Sequence, residues 1–290
     1  MTHRNDMAPA DRLHLCEVGP RDGLQNESVL VPLETKVAFI DALTATGLTE
    51  IEVGSFVRPD VIPQLADTAE VFSRIRRSEE VTYSALVPNR RGLEGALACS
   101  ADKVSIFTAA SESFAGHNIR ATIEESIERF IPVVEGAHQA GLPVRGYVSC
   151  VVACPYEGRI TPSAVADVCR RLLAIGVDEL DLGETLGVAS PDEIGALLET
   201  VGEIESPDQI VLHLHDTKGL ALSCAERAWD LGVRRFDGSC RGLGGCPFAP
   251  GAAGNVSTES LVSFFEGLGR PSGVSLEKLH EASRLLDLLF

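Results

Sequence analysis

The 290-residue chain contains no apolar run approaching the roughly 20 residues that a helix needs to cross a bilayer. Its first residues, MTHRNDMAPADR, lack the hydrophobic core of a signal peptide, so no export is expected. Positive charge is scarce: 25 Lys and Arg stand against 42 Asp and Glu, a net charge of −17. That balance argues against nucleic acid and against an anionic membrane surface as partners. A phosphate-bearing ligand stays open, because a local basic pocket or a helix N-terminus can bind one whatever the net charge. The eight cysteines (16, 99, 150, 154, 169, 224, 240 and 246) include no CxxC pair and lie mostly in apolar segments. They read as the reduced thiols of a cytoplasmic protein, not as a disulfide framework. No linker, low-complexity segment or charge block divides the chain. One domain over residues 1–290 is expected, with 1–12 as a flexible extension.

Strand-like and helix-period segments alternate throughout. The strand candidates are LHLCEVG (13–19), EIEVG (50–54), TYSAL (82–86), KVSIFTAA (103–110), VRGYVSCV (144–151), ELDLGE (179–184), IVLHLHD (210–216) and RFDGS (235–239). Amphipathic stretches such as LETKVAFIDALTATG, TIEESIERFIPVVEGAHQAG and SAVADVCRRLLAIG lie between them, and several end on glycine, as helices do. TPSAV and SPDEI each place a proline just inside a capped helix start. Eight β units each followed by an α unit over this length predict a (β/α)8 TIM barrel, with VSLEKLHEASRLLDLLF as an additional C-terminal helix. A doubly wound open sheet is the competing architecture.

In such barrels chemistry gathers where the strands end. GPRDGLQNE follows the first strand, Glu52 lies in the second and GETLG closes the sixth. Two histidines end the seventh, and RGLGGCPFAPGAAGN follows the eighth. Period-two alternation puts His213 and His215 on one face, with Cα atoms roughly 6.5–7 Å apart. With Asp22 they form a two-imidazole, one-carboxylate set suited to a divalent ion, and Asn255 offers a further amide oxygen. Other tasks remain open for each residue. The histidines could be hydrogen-bonded interior groups, Asp22 a turn residue before Gly23, and Asn255 a helix N-cap. Arg21 can stabilise an enolate oxygen or pair with Glu17 or Glu52. Glu52, an acid in an apolar strand, either holds Arg21 or handles protons. Cys246 sits in a glycine-rich loop able to close over a ligand, where a thiol can transfer a proton or be incidental.

Together EVGPRDGLQNE, IEVGSFV, VRGYVSC…CPYEG, HLHDT and GLGGCPFAPGAAGN resemble the 3-hydroxy-3-methylglutaryl-CoA lyases, over roughly residues 13–288. These belong to a larger group of metal-dependent barrel lyases and Claisen-type synthases. The resemblance implies retro-Claisen cleavage of that thioester to acetyl-CoA and acetoacetate, with Mg or Mn as cofactor. It implies Asp22, His213, His215 and Asn255 as metal ligands, and Arg21, Glu52, His213 and Cys246 in catalysis. Gln25, Ser55 and Asn118 match substrate contacts. A small-molecule acyl-CoA partner and a homo-oligomer, a dimer, follow from the same resemblance. Alternatives are the same chemistry on another 3-hydroxyacyl-CoA, a Claisen-type synthase, or a silent binding protein. The chain departs from the usual pattern: LDLGET stands where SLGDT is common, so Asp181 replaces serine and Glu184 aspartate. Lys218 stands where tyrosine or glycine is common, and Ser28 where lysine is usual. These departures are expected around the mouth and in the layer behind it, off the metal ligands, and bear on substrate choice.

Overall fold

The computed structural model describes residues 12–245 and 254–287. Its strands are β1 (His14–Glu17), β2 (Glu50–Ser55), β3 (Thr82–Leu86), β4 (Lys103–Ala109), β5 (Val144–Ser149), β6 (Ala153–Cys154), β7 (Gly158–Arg159), β8 (Glu179–Glu184), β9 (Ile210–Leu214) and β10 (Arg235–Gly238). Eight of them close a parallel barrel in the order β1-β10-β9-β8-β5-β4-β3-β2. β1 closes the ring, pairing Cys16 with Asp237 on one side and with Glu50 on the other. Each strand segment read from the sequence is a barrel strand, and the open sheet is excluded. β6 and β7 form an antiparallel hairpin beyond β5 that the sequence did not announce. Two-residue strands are too short to show a period.

The helices start where the capping residues stand. Thr122 with Glu125 and Ser190 with Glu193 form reciprocal capping boxes, and Pro162 and Pro191 follow their N-caps directly. The apolar stripes of these helices pack on the outer face of the barrel, in one core running around the ring. The helix Leu33–Thr44 ends before Gly47, whose φ is +98°. A Cβ there would stand 2.5 Å from the carbonyl oxygen of Gly273, so only glycine permits the close approach. That approach seats the additional helix Leu276–Arg284, whose Lys278 Nζ donates to the Ala45 carbonyl at 3.0 Å.

The barrel interior departs from the usual filling of branched apolar side chains. The inward residues of VRGYVS are Arg145, Tyr147 and, at the rim, Ser149; Glu50, Glu52, Lys103, Glu179, Asp181 and Asp237 join the first two, all buried but Glu50. Arg145 Nε donates to Glu179 at 2.5 Å, and Arg145 Nη1 meets Asp237 at 3.1 Å. Lys103 bridges Glu50 at 3.1 Å and Glu179 at 2.7 Å. A buried charge is tolerated only when paired, and here the pairs extend up the barrel axis to the C-terminal rim.

Candidate active site

After β1 the chain makes a tight turn over Gly19–Gly23, in which the amides of Arg21, Asp22 and Gly23 all donate to the Val18 carbonyl. This coil presents Arg21 and Asp22 to the mouth. Arg21 Nε donates to Glu52 Oε2 and Nη1 to Asp22 Oδ1, each at 2.5 Å. Its partner is therefore Glu52 and not Glu17. Glu17 instead accepts from the amides of Gly19 and Cys240 and from the Thr258 hydroxyl, tying the turn to the last barrel loop. Tyr147 Oη donates to Glu52 Oε2 at 3.2 Å, and the guanidinium carbon of Arg21 lies 5.3 Å from the Tyr147 ring centre.

His213 is the inward residue near the end of β9. His215 follows just beyond the strand and bridges Asn255 in an antiparallel pair. One ligand atom from each of Asp22, His213 and His215 falls within 4.8 Å of the others. His213 Nδ1 faces Asp237 Oδ2 at 3.0 Å, while its Nε2 stands 4.0 Å from Asp22. Asn255 is not a helix N-cap, since Ser257 caps the helix Thr258–Gly267. Its Nδ2 donates to Asp22 Oδ2 and to the Leu243 carbonyl, both at 2.9 Å, and its buried Oδ1 has no hydrogen-bond partner. Gly244, with φ +94°, makes room for this amide: a Cβ would stand 2.7 Å from Asn255 Nδ2.

Charge shapes the protonation states. Burial opposes ionisation of Asp22, but Arg21, His213 and the Asn255 amide outweigh it and hold the pKa at about 2. Burial pushes Glu52 up against the pull of Arg21. Burial also opposes a proton on His213, yet the hydrogen bond and charge of Asp237 raise its pKa. Asp237 itself is held down, against burial, by Arg145 and His213.

A cavity of about 220 Å³ opens beside these groups. Its polar lining includes Arg21, Asp22, Gln25, Asn118, His213 and His215. Val57, Ile62, Val87, Phe107 and Phe114 form an apolar wall. Ser55 is not among the lining residues: it is buried, and its hydroxyl accepts from the Val57 amide. Cys246 and residues 247–253 of its loop lie outside the described residues, as does the N-terminal extension before Arg12. None of the four departures lines the cavity, and Asp181 lies in the layer behind it. Asp181 is in the interior, two residues and one layer below Gly183, which does line the cavity. Glu184 points away from the axis and accepts from the Val188 amide, while Lys218 and Ser28 are exposed and do not line the cavity. Sequence reasoning missed Asp237 and Tyr147. The signal was present, since each is a polar residue at an inward position of a strand, as Glu52 is.

Two imidazoles and a carboxylate at the C-terminal rim of a parallel barrel, beside a buried arginine and an open cavity, define a barrel enzyme with a donor set suited to a divalent ion. The HMGL-like family matches residues 12–286. The mitochondrial hydroxymethylglutaryl-CoA lyase of Macaca fascicularis is 46% identical over 275 residues, covering 95% of this chain and 85% of that protein. The crystal structure of the HMG-CoA lyase from Brucella melitensis superposes with a TM-score of 0.94 at 46% identity, covering 96% of this chain and 99% of that one. The HMG-CoA lyase of Acinetobacter baumannii, solved in complex with coenzyme A and 3-methylmalate, gives a TM-score of 0.93 at 38% identity, covering 98% and 92%. The chain belongs to the HMGL-like family and is a lyase.

Proposed function

We propose that the protein cleaves 3-hydroxy-3-methylglutaryl-CoA to acetyl-CoA and acetoacetate by a retro-Claisen reaction. The observation that carries this reading is the convergence of Asp22, His213 and His215 within 4.8 Å, with Arg21 fixed beside them at the mouth of the cavity. The donor set fits a divalent ion: two imidazoles, an ionised carboxylate, and the partnerless buried oxygen of Asn255 as a fourth ligand. Mg or Mn is the ion proposed, and when bound it supplies Lewis-acid polarisation of substrate oxygens.

The chain's own residues account for the remaining steps. A base removes the proton of the tertiary hydroxyl. Asp22 and His213 are the candidates, since both line the cavity. The bond between C2 and C3 breaks, C3 becomes the ketone of acetoacetate, and the electron pair passes to the thioester enolate. Arg21, held from below by Glu52, presents positive charge where that oxygen develops. Protonation of the enolate carbon then gives acetyl-CoA, with Cys246 the candidate acid. Gln25 and Asn118 contact the thioester from the rim. The apolar wall suits a methyl group and a pantetheine arm, and the Acinetobacter relative's complex with coenzyme A supports a CoA ligand here. A cytoplasmic location agrees with free thiols at the seven described cysteines, and a homodimer is proposed from the family.

A panel of acyl-CoA thioesters tests the reading. Acetyl-CoA should appear from the methylglutaryl compound with the highest kcat/KM. Preference for another 3-hydroxyacyl-CoA would move the substrate, and consumption of acetyl-CoA with a 2-oxo acid would replace the lyase by a synthase.

A further inference from the structure

CPYEG, residues 154–158, lines no part of the cavity. It turns the β6–β7 hairpin, in which Cys154 pairs with Gly158, whose φ is +76°. Arg159 of the hairpin is anchored to Glu193 at 2.7 Å. The hairpin in turn holds the short helix Glu112–Asn118, with contacts at both of its ends. At the start of that helix Glu157 Oε1 accepts from the Ser113 amide at 2.7 Å, one of the first-turn N–H groups that a helix cannot satisfy itself. Ser111, the N-cap, accepts from the Phe114 amide and meets Cys154 Sγ at 3.0 Å. At the far end the His117 ring stacks on Tyr156, with centres 4.2 Å apart and planes 15° from parallel. Phe114 packs with Cys150 and Cys154 in a small apolar cluster separate from the main core. A further tie, from the Ile123 amide to Glu112 Oε2 at 3.0 Å, joins the helix to the next one. Residues four apart share a face of a helix, so this segment has two working stripes. Ser113 and His117 meet the hairpin, while Phe114 and Asn118, one position on, line the cavity. A helix this short has little stability of its own, since even alanine-rich helices under about 12 residues are marginal in water. Where Phe114 and Asn118 stand is thus set by what the other stripe touches.

We propose that Tyr156 and Glu157 are positioning residues for substrate: they hold the helix Glu112–Asn118 so that Phe114 and Asn118 form a preset wall for the thioester and pantetheine arm of an acyl-CoA. The identity of that ligand rests on the acyl-CoA reading above, whereas the support of the helix by the hairpin does not. Glu157 suits the task as an anion. Against burial, hydrogen bonds from Ser113 and Ser111 hold its carboxyl below the usual carboxylate range, and a charged acceptor makes the stronger bond. Tyr156 suits it because a ring stacked on a flat imidazole fixes both distance and plane. A wall in place before the ligand arrives avoids the entropy of ordering it on binding. Asp22, His213, His215 and Asn255 stand on other elements, so the metal ligands do not depend on this helix. The contribution is therefore to affinity, and it belongs in KM and not in kcat.

Tyr156→Ala and Glu157→Ala test it on the full chain, beside the conservative Tyr156→Phe and Glu157→Gln. Both positions are exposed, so truncation leaves the core intact. Hydrogen exchange read by mass spectrometry without ligand is the first measurement. The alanine variants should exchange faster over residues 112–118, the conservative pair should stay close to the parent, and the barrel strands should be unchanged in all four. Affinity for coenzyme A by calorimetry, and KM for the thioester, should weaken about 10-fold in the alanine variants, with kcat and Mn affinity kept. The conservative pair should again stay close to the parent. In a double-mutant cycle, Asn118→Ala and Tyr156→Ala together should weaken affinity by less than the product of their separate effects, because the tyrosine acts through the asparagine. Parental exchange over 112–118 in both alanine variants would overturn the support by the hairpin. Faster exchange there with unchanged coenzyme A affinity would overturn the role in substrate binding. So would an equal fall in Mn affinity, which a general loosening of the site produces. If the parent binds no coenzyme A while the exchange pattern appears as stated, the acyl-CoA reading fails and the support of the helix stands.

Discussion

Arg21 gives one nitrogen to Glu52 and another to Asp22, yet it still lines the cavity. Its position is thus set by two carboxylates, one buried and one at the rim, and only the planar fork of a guanidinium can meet both while facing an enolate. Arg21→Lys keeps the charge and loses that geometry. Steady-state kinetics should show kcat reduced about 10²–10³-fold, the scale for removing an oxyanion donor, with KM changed far less. A raised KM with kcat unchanged would make Arg21 a binding group. His213 is held from behind by Asp237, and His215 from the side by the Asn255 segment. Asp237→Asn should weaken divalent-ion affinity by about 10–100-fold, and His215→Ala by more, because a ligand itself is lost. Titration calorimetry with Mn orders the two. Residue identity carried much of this: HLHD, PRD and the acid in EIEVGS stand out in sequence. Asp237 and Tyr147 did not, because their importance comes from partners 24 and 95 residues away that only barrel closure brings together.

At the scale of elements, the strands were legible because they are largely apolar runs spaced between helix-period segments, five of the eight carrying polar residues in or just beyond their C-terminal ends. The helices were legible because their caps are written in Thr, Ser and Pro at fixed offsets. What alternation alone does not give is depth. Asp181 and Gly183 share a face of β8, but two residues along a strand is roughly one layer of the barrel, ~6.5 Å. The first lies in the ion network and the second lines the cavity. The element that couples turn to loop is the end of β1, where Glu17 joins Gly19, Cys240 and Thr258. Burial raises its pKa from 4.5 to about 7, with these hydrogen bonds opposing. Its contribution to stability is therefore full below 4.5 and is lost as pH rises through about 7. Glutamine can keep the two amide contacts through its oxygen and offer its nitrogen to the Thr258 oxygen. Glu17→Gln should then flatten the fall in Tm across this interval, and an unchanged profile would remove Glu17 as its source.

For the whole molecule, the ligand set joins distant parts of the chain: the turn after β1, the end of β9, and Asn255 beyond β10. These are neighbours only because β1 closes the ring against β10. An ion that binds this arrangement and not the unfolded chain stabilises the entire barrel, by about 2.7 kcal/mol at a hundred times its dissociation constant. Mn should raise the Tm of the parent in a concentration-dependent manner, and Asp22→Ala should abolish the rise. A shift that survives in that variant would place the ion elsewhere.

Cleavage in deuterated water tests the central claim most directly. With Mg or Mn present, 3-hydroxy-3-methylglutaryl-CoA should give acetyl-CoA and acetoacetate in equal amounts, with one solvent deuterium in the methyl group of acetyl-CoA, where the enolate takes up its proton. Release of free coenzyme A without acetoacetate, or acetyl-CoA carrying no solvent deuterium, would contradict a retro-Claisen reaction at this site.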